Sequence, residues 1–488
     1  MKIMNSLRNI NLQKWVAIFS IFTILSCSDF LEIKPQQSLE LNSALLTLGD
    51  VKLAVNGMYD QMSSANYYGR YFPLLPDVMS DDVKQNATAN RAKEMAQFST
   101  LPSHFIVVDM WNTIYANINR ANMILATDLT VKASEQPTYN HYKGQAYALR
   151  ALGHFDLVRM FAQTYSFTPN ASHLGIPIKT SPSLSTNDFA NAVTRSTVAE
   201  VYAQVIADLL QAESLVLSKP TSGTTTATLY KEFVQGLLAR VYLYKSDWTN
   251  AAAYATKVID AKYPTGASVH TLVNNAGYRA MFTANFSTES LLEIALLADD
   301  NRGADALGRM YIAEGYGDYL PAWDIYDLIV TGDARKANFK ADAGLKGIYA
   351  ANRVDKYNLT TNLNNTKVMR LSEVYLIRAE ALANLGTNNT QAQSDLNAIR
   401  KRAIPSAPSV TATGQALIDE ILLERRKELC FEGHRLWDLT RNGKGVVRVN
   451  CTAPADKCNL SYPNDLFILP IPADEINRSG IAQNPGYF

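Results

Sequence analysis

Three regularly spaced carboxylates near the C-terminus are the strongest candidates for a reactive site. Glu424, Glu428 and Glu432 recur every four residues in helix-forming sequence, which would place them on one helical face. Such a row could form a catalytic carboxylate site. Charged groups that are buried need partners, however, and three arginines lie nearby: Arg425, Arg426 and Arg435. We therefore predict that these charges pair between helices and hold the scaffold in register.

The whole stretch 424–443 mixes charge with bulky apolar groups. It carries nine formal charges together with Phe431, Leu436 and Trp437. A solvated helix would not need the apolar residues, and an ordinary core helix would not carry the charges. The pattern predicts a helix and a following turn whose Arg and Glu side chains pair inside the structure. Gly433 predicts a close backbone approach or a break in the helix.

Motifs of the common enzyme classes are absent from the sequence. It contains no HExxH, no G-x-S-x-G, no P-loop and no glycine fingerprint for dinucleotides. Its six histidines are scattered without metal-ligand spacing. We therefore predict no catalytic residue, no metal ion and no cofactor. The balance of 46 basic and 45 acidic residues, a net charge of +1, gives no reason to expect a nucleic-acid partner.

The N-terminus has the pattern of an export signal. Basic residues precede the apolar run 15–25, which is followed by Ser26 and Cys27. The run is shorter than the roughly 20 residues that span a bilayer. We predict a signal peptide at 1–26, and Ile24 to Cys27 resembles a bacterial lipobox, which would make Cys27 the lipidated first residue. The alternative is ordinary signal cleavage beside an incidental cysteine.

Two further cysteines, Cys451 and Cys458, flank a six-residue loop. Outside the cytoplasm such a pair favours a disulfide, and the alternative is two unpaired thiols. The remaining cysteine, Cys430, lies within the charged stretch, where we predict that it is buried.

Helical periodicity dominates the remainder of the chain. Apolar stripes predict helices at 111–124, 144–161 and 198–217, and the last can begin with a capping box between Thr197 and Glu200. Small and aromatic residues at 229–259 and 379–399 predict helical hairpins of tetratricopeptide type. One strand is predicted at 289–296. The fold class is therefore mostly all-α, with an irregular, loop-rich part and minor β-structure.

Several of these segments together resemble one family. Four segments carry the resemblance: the stretch 424–443, the helix-like run Val368–Ala381, the ending Phe467–Tyr487 and the start Cys27–Leu31. They resemble the SusD/RagB family of surface lipoproteins. The resemblance implies a tetratricopeptide-like superhelical scaffold with this organisation: 27–230, an N-terminal helical half; 231–261, a hairpin; 262–366, an irregular subdomain; 367–488, the signature region. It also implies that the signature residues are structural: Arg370, Glu373, Arg378, Glu424, Arg425, Glu428, Glu432, Arg435, Trp437 and Asp438.

The function implied by the resemblance is capture of an oligosaccharide for a SusC-like TonB-dependent transporter in the outer membrane. The protein would face outside on its N-terminal lipid. Peptide capture, as in RagB, is the alternative, and a lipid-anchored glycoside hydrolase or a purely structural adaptor is less favoured. A hydrolase would need two carboxylates about 5–9.5 Å apart across a cleft.

Binding of sugars needs flat aromatic faces beside polar groups. Two aromatic clusters are candidates, one at Tyr67, Tyr68, Tyr71 and Phe72, the other at Tyr316, Tyr319 and Trp323. Glycine and proline place the second cluster in a loop, where a Trp can stand exposed. Packing in the core is the alternative for the first cluster. Asn86 and Arg91 are candidates for polar contacts.

Overall fold

The computed structural model describes residues 45–86, 89–183, 193–222, 225–345 and 352–487. The chain divides into two units, 1–46 and 47–488. Nearly all of the first unit, including the predicted signal peptide and Cys27, lies outside the described residues. Every described helix and strand belongs to the second unit.

Helices make up most of the described second unit, and their bounds are as follows: α1 Leu48–Ser63, α2 Tyr71–Val78, α3 Lys93–Ala96, α4 Phe105–Ala126, α5 Gln136–Phe161, α6 Val198–Leu215, α7 Lys231–Tyr244, α8 Trp248–Ile259, α9 Trp323–Leu328, α10 Leu371–Leu385, α11 Asn389–Ala403, α12 Gly414–Leu429, α13 Arg435–Arg441 and α14 Ala473–Ser479. The longer helices pack in sequence order, α1 on α4, α4 on α5, and onward through α6, α7, α8, α10 and α11 to α12. This succession of packed hairpins confirms the predicted, mostly all-α fold. No helix among the described residues combines the length and apolar character needed to cross a bilayer.

Local sequence explains where several helices begin and end. At the start of α6 the Thr197 hydroxyl accepts the Glu200 N–H at 3.2 Å, and the Glu200 carboxylate accepts the Thr197 N–H at 2.8 Å. This is the predicted capping box. Helix α10 ends at Leu385 and is followed by Gly386, whose φ of +67° is a left-handed conformation that glycine adopts without a steric penalty.

The strands are short and form four antiparallel pairs. Their bounds are β1 Val83–Gln85, β2 Ser290–Ile294, β3 Tyr319–Pro321, β4 Phe339–Ala341, β5 Asn352–Val354, β6 Thr366–Arg370, β7 Val446–Val447 and β8 Asn459–Leu460, and the pairs are β1–β3, β2–β6, β4–β5 and β7–β8. Strand β2 lies inside the predicted segment 289–296. Strand β6 corrects one prediction, because residues 368–370 belong to it and the helix begins only at Leu371.

The charged stretch 424–443 folds as two helices and a sharp turn. Helix α12 ends at Leu429, and Phe431 and Gly433 then adopt positive φ angles of +65° and +76°. Glu432 therefore lies in the turn and not on the helical face predicted for it. A Cβ on Gly433 would lie 2.7 Å from the Pro73 carbonyl oxygen. Gly433 thus provides both the break and the close backbone approach that the sequence predicts.

Candidate functional site

A buried ion network holds the turn of the signature region to the neighbouring elements. The Arg370 guanidinium donates to both Glu432 carboxylate oxygens, at 2.7 and 2.8 Å, and to Glu428 at 2.5 Å. Glu432 also pairs with Lys356 at 2.7 Å. Burial alone would raise the pKa of Glu432, but Arg370 and Lys356 outweigh it and hold that pKa at about 2. The Glu432 carboxylate is therefore charged at neutral pH, and both of its oxygens are paired.

The same network extends to two further arginines. Arg402 bridges Glu428 and Glu289 at 2.5 and 2.6 Å, and Arg335 pairs with Glu424 at 2.6 Å and with its neighbour Asp333 at 2.7 Å. All of these side chains are buried. We call this set the central network: Asp333, Glu289, Glu424, Glu428, Glu432, Arg335, Arg370, Arg402 and Lys356.

The other signature residues are paired as well. Arg425 binds Asp438 at 2.8 Å, Glu373 binds Arg240 at 2.5 Å, and Arg378 binds Asp395 at 2.7 Å. The Trp437 ring N–H donates to the Arg159 carbonyl at 3.0 Å. The structure thus pairs the charges of the signature region inside the protein, as the sequence predicts, but only some of the pairs join two helices and others join a helix or turn to a strand or loop. Among the residues that the structure describes, no three His, Cys, Asp or Glu side chains are grouped as a metal ion would require.

A second group of ion pairs connects helix α12 to the loops on one side of the scaffold. Arg426 binds Asp82 at 2.7 Å, just before β1, and Asp324 at 2.6 Å, the second residue of α9. Arg435 binds Asp81 at 2.7 Å. The Arg426 guanidinium therefore joins helix α12 to the start of β1 and to α9, the elements that carry Lys84 and Trp323.

That surface surrounds Trp323, the first residue of α9. Strands β1 and β3 pair with Lys84 opposite Leu320, which places Lys84 beside the start of the helix. The Trp323 side chain is 56% exposed, and the Lys84 ammonium lies 4.9 Å from its ring centroid. Burial lowers the pKa of Lys84 to about 8, so the ammonium still carries most of its charge at neutral pH.

Asn450 holds the edge of the indole ring. With its amide oriented so that the oxygen faces the donors, Asn450 accepts the Trp323 ring N–H at 3.2 Å and the Lys84 ammonium at 2.6 Å. An exposed valine, Val449, precedes it in the chain and lines the same pocket as Lys84. We call this group the Trp323 surface: Lys84, Trp323, Val449 and Asn450.

The loop that follows Asn450 is cross-linked. The structure contains the predicted disulfide between Cys451 and Cys458, with a Cα–Cα distance of 5.8 Å. The Thr452 hydroxyl donates to the Gln85 carbonyl of β1 at 3.0 Å. The disulfide and this hydrogen bond together hold Asn450 beside Lys84 and Trp323. Cys430 is a buried free thiol.

The first predicted aromatic cluster is corrected by the structure. Tyr67, Tyr68, Tyr71 and Phe72 are all buried. The hydroxyls of Tyr67 and Tyr68 donate to one Asp156 carboxylate oxygen at 2.6 and 3.0 Å. All four rings pack in the core, where Asp156 binds the polar ends of Tyr67 and Tyr68, and they present no face to a ligand.

The second cluster is divided. Trp323 is exposed, whereas Tyr319 is buried and its hydroxyl donates to the Arg91 carbonyl at 2.7 Å. The half-buried Tyr316 ring lies under the Arg91 guanidinium, 3.2 Å from ring centroid to the guanidinium carbon. Asn86 is buried, and its amide donates to the Gly317 carbonyl at 3.0 Å. These residues shape the segment before Trp323, and the structure corrects the predicted loop, because Tyr319 lies on β3 and Trp323 begins α9.

Besides its valine, two members of the Trp323 surface were missed by sequence reasoning: Lys84 and Asn450. They lie 239 and 127 positions from Trp323 in the chain, and neither belongs to a motif. The predicted disulfide next to Asn450 was the only local signal that this loop is constrained.

Comparison with known proteins finds related sequences that cover nearly the whole chain. The family model described as the SusD family matches residues 323–487, and the one described as "Starch-binding associating with outer membrane" matches residues 29–243. The SusD-like protein P2 of Formosa agariphila is 27% identical, over 96% of this chain and 98% of that protein.

Solved structures agree with the sequence matches. A SusD superfamily protein from Bacteroides vulgatus superposes with a TM-score of 0.82 at 30% identity, over 91% of this chain and all of that one. A laminarin-binding SusD-like protein superposes with a TM-score of 0.70 at 26% identity, over 90% of this chain and 99% of that one.

Proposed function

Since the chain belongs to the SusD family, we propose that it is a non-catalytic protein that binds an oligosaccharide at the Trp323 surface. The observation that carries the proposal is the exposed indole ring of Trp323, held at its N–H edge by Asn450. An indole face is flat and apolar, which suits the C–H face of a sugar ring. The half-buried Asn450 lies at its border, where hydroxyl groups of the sugar would need donors and acceptors, and the buried Lys84 supports the ring and Asn450 from beside them.

The ligand class that we propose is a glucan. One matching family model names starch in its description, and one similar structure binds laminarin. Both are polymers of glucose, so the first ligands to test are starch and laminarin oligosaccharides. An open surface buries little of a polar ligand, and we therefore expect modest affinity.

We further propose that the protein works at the outer membrane with a SusC-like TonB-dependent transporter, anchored through lipid on Cys27 and facing outside. The support is the family and the export signal read in the sequence. Exchange of Cys27→Ser should release the protein from the membrane fraction. Purification of the native transporter from the source membrane should retain this chain.

The absence of catalysis is also a proposal. Its support is that the signature carboxylates are bound in ion pairs, so that they do not form an open acid–base pair. Product analysis after prolonged incubation with starch and laminarin tests this point. Hydrolysis that disappears when one Asp or Glu is changed would replace the proposal with a glycoside hydrolase.

Calorimetry on matched variants tests the binding site. We expect Trp323→Ala to weaken glucan binding at least tenfold, which corresponds to about 1.4 kcal/mol. Phe105→Ala is the matched control, because Phe105 is 54% exposed but lies at the start of α4. Equal affinity of the Trp323 variant and the wild type would refute the site.

Two other results would favour the alternative functions. Binding of peptides, with no binding of any glycan, would favour the RagB-like alternative. Uptake that is unchanged in the Trp323 variant would favour a structural adaptor.

A further inference from the structure

A second concave surface lies on the hairpin formed by α7 and α8. A groove of about 940 Å³ is bounded by residues 218–221, the start of α7, the end of α8 and the turn 261–269. Its size is near the upper end of the range for ligand pockets, roughly 300–1,000 Å³. It shares no lining residue with the Trp323 surface.

The lining of this groove is strongly basic. It contains one carboxylate, Glu232, and four lysines: Lys219, Lys231, Lys257 and Lys262. The formal charge of the lining is therefore +3, although the whole chain has a net charge of only +1. Positive charge is concentrated here beyond what the composition requires.

Most of this charge lacks compensation. Within the described part of the chain, no acidic group lies within ion-pair distance of Lys219, Lys231 or Lys262, and Lys257 alone pairs with Glu213, at 3.1 Å. The buried Glu232 accepts the Lys219 backbone N–H at 3.1 Å. Lysines in a concave surface repel one another, so an arrangement of this kind favours an anionic ligand.

The groove is also shaped in advance of binding. Lys262 and Ser268 are bridged across the turn, and the Tyr263 N–H donates to the Ala267 carbonyl at 2.8 Å. The Lys219 ammonium donates to the Tyr263 hydroxyl at 3.3 Å. A half-buried aromatic ring therefore lies beside a cation, and preformed geometry lowers the entropic cost of binding.

We propose that this groove is a second binding site, specific for an oligosaccharide that carries sulfate or carboxylate groups. The lysines would bind the anionic groups, and the Tyr263 ring would contact the sugar. A concave groove fits a polymer chain better than the flat surface of an anionic membrane. The proposal does not depend on the Trp323 surface, because the two sites share no residue.

Dextran sulfate and unmodified dextran are the matched probes, since they share one backbone and differ in charge. We expect the full-length protein to bind dextran sulfate and to bind dextran at least tenfold more weakly. The triple variant Lys231→Gln, Lys257→Gln, Lys262→Gln should lose at least tenfold in affinity for dextran sulfate. The binding should also weaken as salt rises from about 50 to 200 mM, because exposed charges are screened.

The control triple variant is Lys52→Gln, Lys93→Gln, Lys132→Gln, which removes the same charge from exposed positions outside the groove. It should bind dextran sulfate like the wild type, and thermal unfolding should be unchanged in both triple variants. An equal loss in both triple variants would overturn the proposal. Binding only to phosphatidylglycerol vesicles, or no binding of dextran sulfate at all, would overturn it as well.

Discussion

Exchange of Glu428→Gln tests whether the central network stabilises the fold. The change keeps the shape of the side chain but removes the negative charge that faces Arg335, Arg370 and Arg402. All three guanidinium groups are buried, so each loses a partner that water cannot replace. Breaking a buried ion pair by removing one partner costs about 3–5 kcal/mol. We expect a loss of this size in the free energy of unfolding at pH 7.

The effect should depend on pH with a definite sign. Burial alone would raise the pKa of Glu428, but Arg402, Arg370 and Arg335 outweigh it and hold that pKa well below its usual range. A lowered pKa in the folded state means that the carboxylate stabilises the fold above the unfolded pKa of about 4.5. This contribution is lost as the pH falls toward the folded pKa. The difference between wild type and variant should therefore shrink between pH 4.5 and pH 2.

Equilibrium unfolding in urea, followed by tryptophan fluorescence, measures the effect. Glu420→Gln is the matched control, because Glu420 lies on the same helix α12 and pairs with Arg400 at 3.0 Å on the surface. Surface pairs contribute about 0–1 kcal/mol, so the control should lose less than about 1 kcal/mol. A Glu428 variant that loses no more than the control would refute the view that this network stabilises the fold.

Four further predictions follow from named contacts. Gly433→Ala should destabilise the protein by more than Gly386→Ala. Both glycines have positive φ, which costs alanine about 1–2 kcal/mol, but only the Cβ at position 433 would also meet a backbone, that of Pro73. Equal unfolding midpoints of the two variants would contradict this. Removal of the disulfide by Cys451→Ser and Cys458→Ser should lower the free energy of unfolding by about 2.5 kcal/mol on the loop-closure estimate, and wild type unfolded with reductant should match the variant. His154 accepts the Lys179 N–H at 3.1 Å, and burial lowers the pKa of His154 to about 3. The free energy of unfolding should therefore fall as the pH drops from about 6.5 toward 3. His154→Gln should reduce this pH dependence when unfolding is measured across the same range. Arg426→Gln should weaken glucan binding severalfold through loss of the Asp82 and Asp324 pairs, with Lys427→Gln as a control on the same helix, and unchanged calorimetric affinity would contradict this.

The predictions that the structure confirmed rest on local signals. Thr197 and Glu200 are three residues apart, so a capping box follows from the chain itself. The charged stretch 424–443 demanded partners wherever the chain placed it, because buried charge without a partner is too costly. Gly433 likewise indicated a break whose position needed no knowledge of the fold.

The identity of those partners was decided by the tertiary structure. Glu432 binds Arg370 and Lys356, which lie 62 and 76 positions earlier, and no local pattern connects them. The error at 67–72 has the same origin. The aromatic cluster was a candidate for a ligand-binding face, but Asp156, 89 residues after Tyr67, binds two of the hydroxyls and makes burial favourable.

The sequence by itself determined the family, the helical scaffold and the demand that its signature charges be paired, because these depend on residue types at short spacing. The folded structure alone decided which aromatic ring faces solvent and which residues border it. Exposure of Trp323 depends on how β1, β3 and the loop before Cys451 meet around it. Contacts between segments more than a hundred residues apart leave no trace in a single sequence, and only the packed chain brings them together.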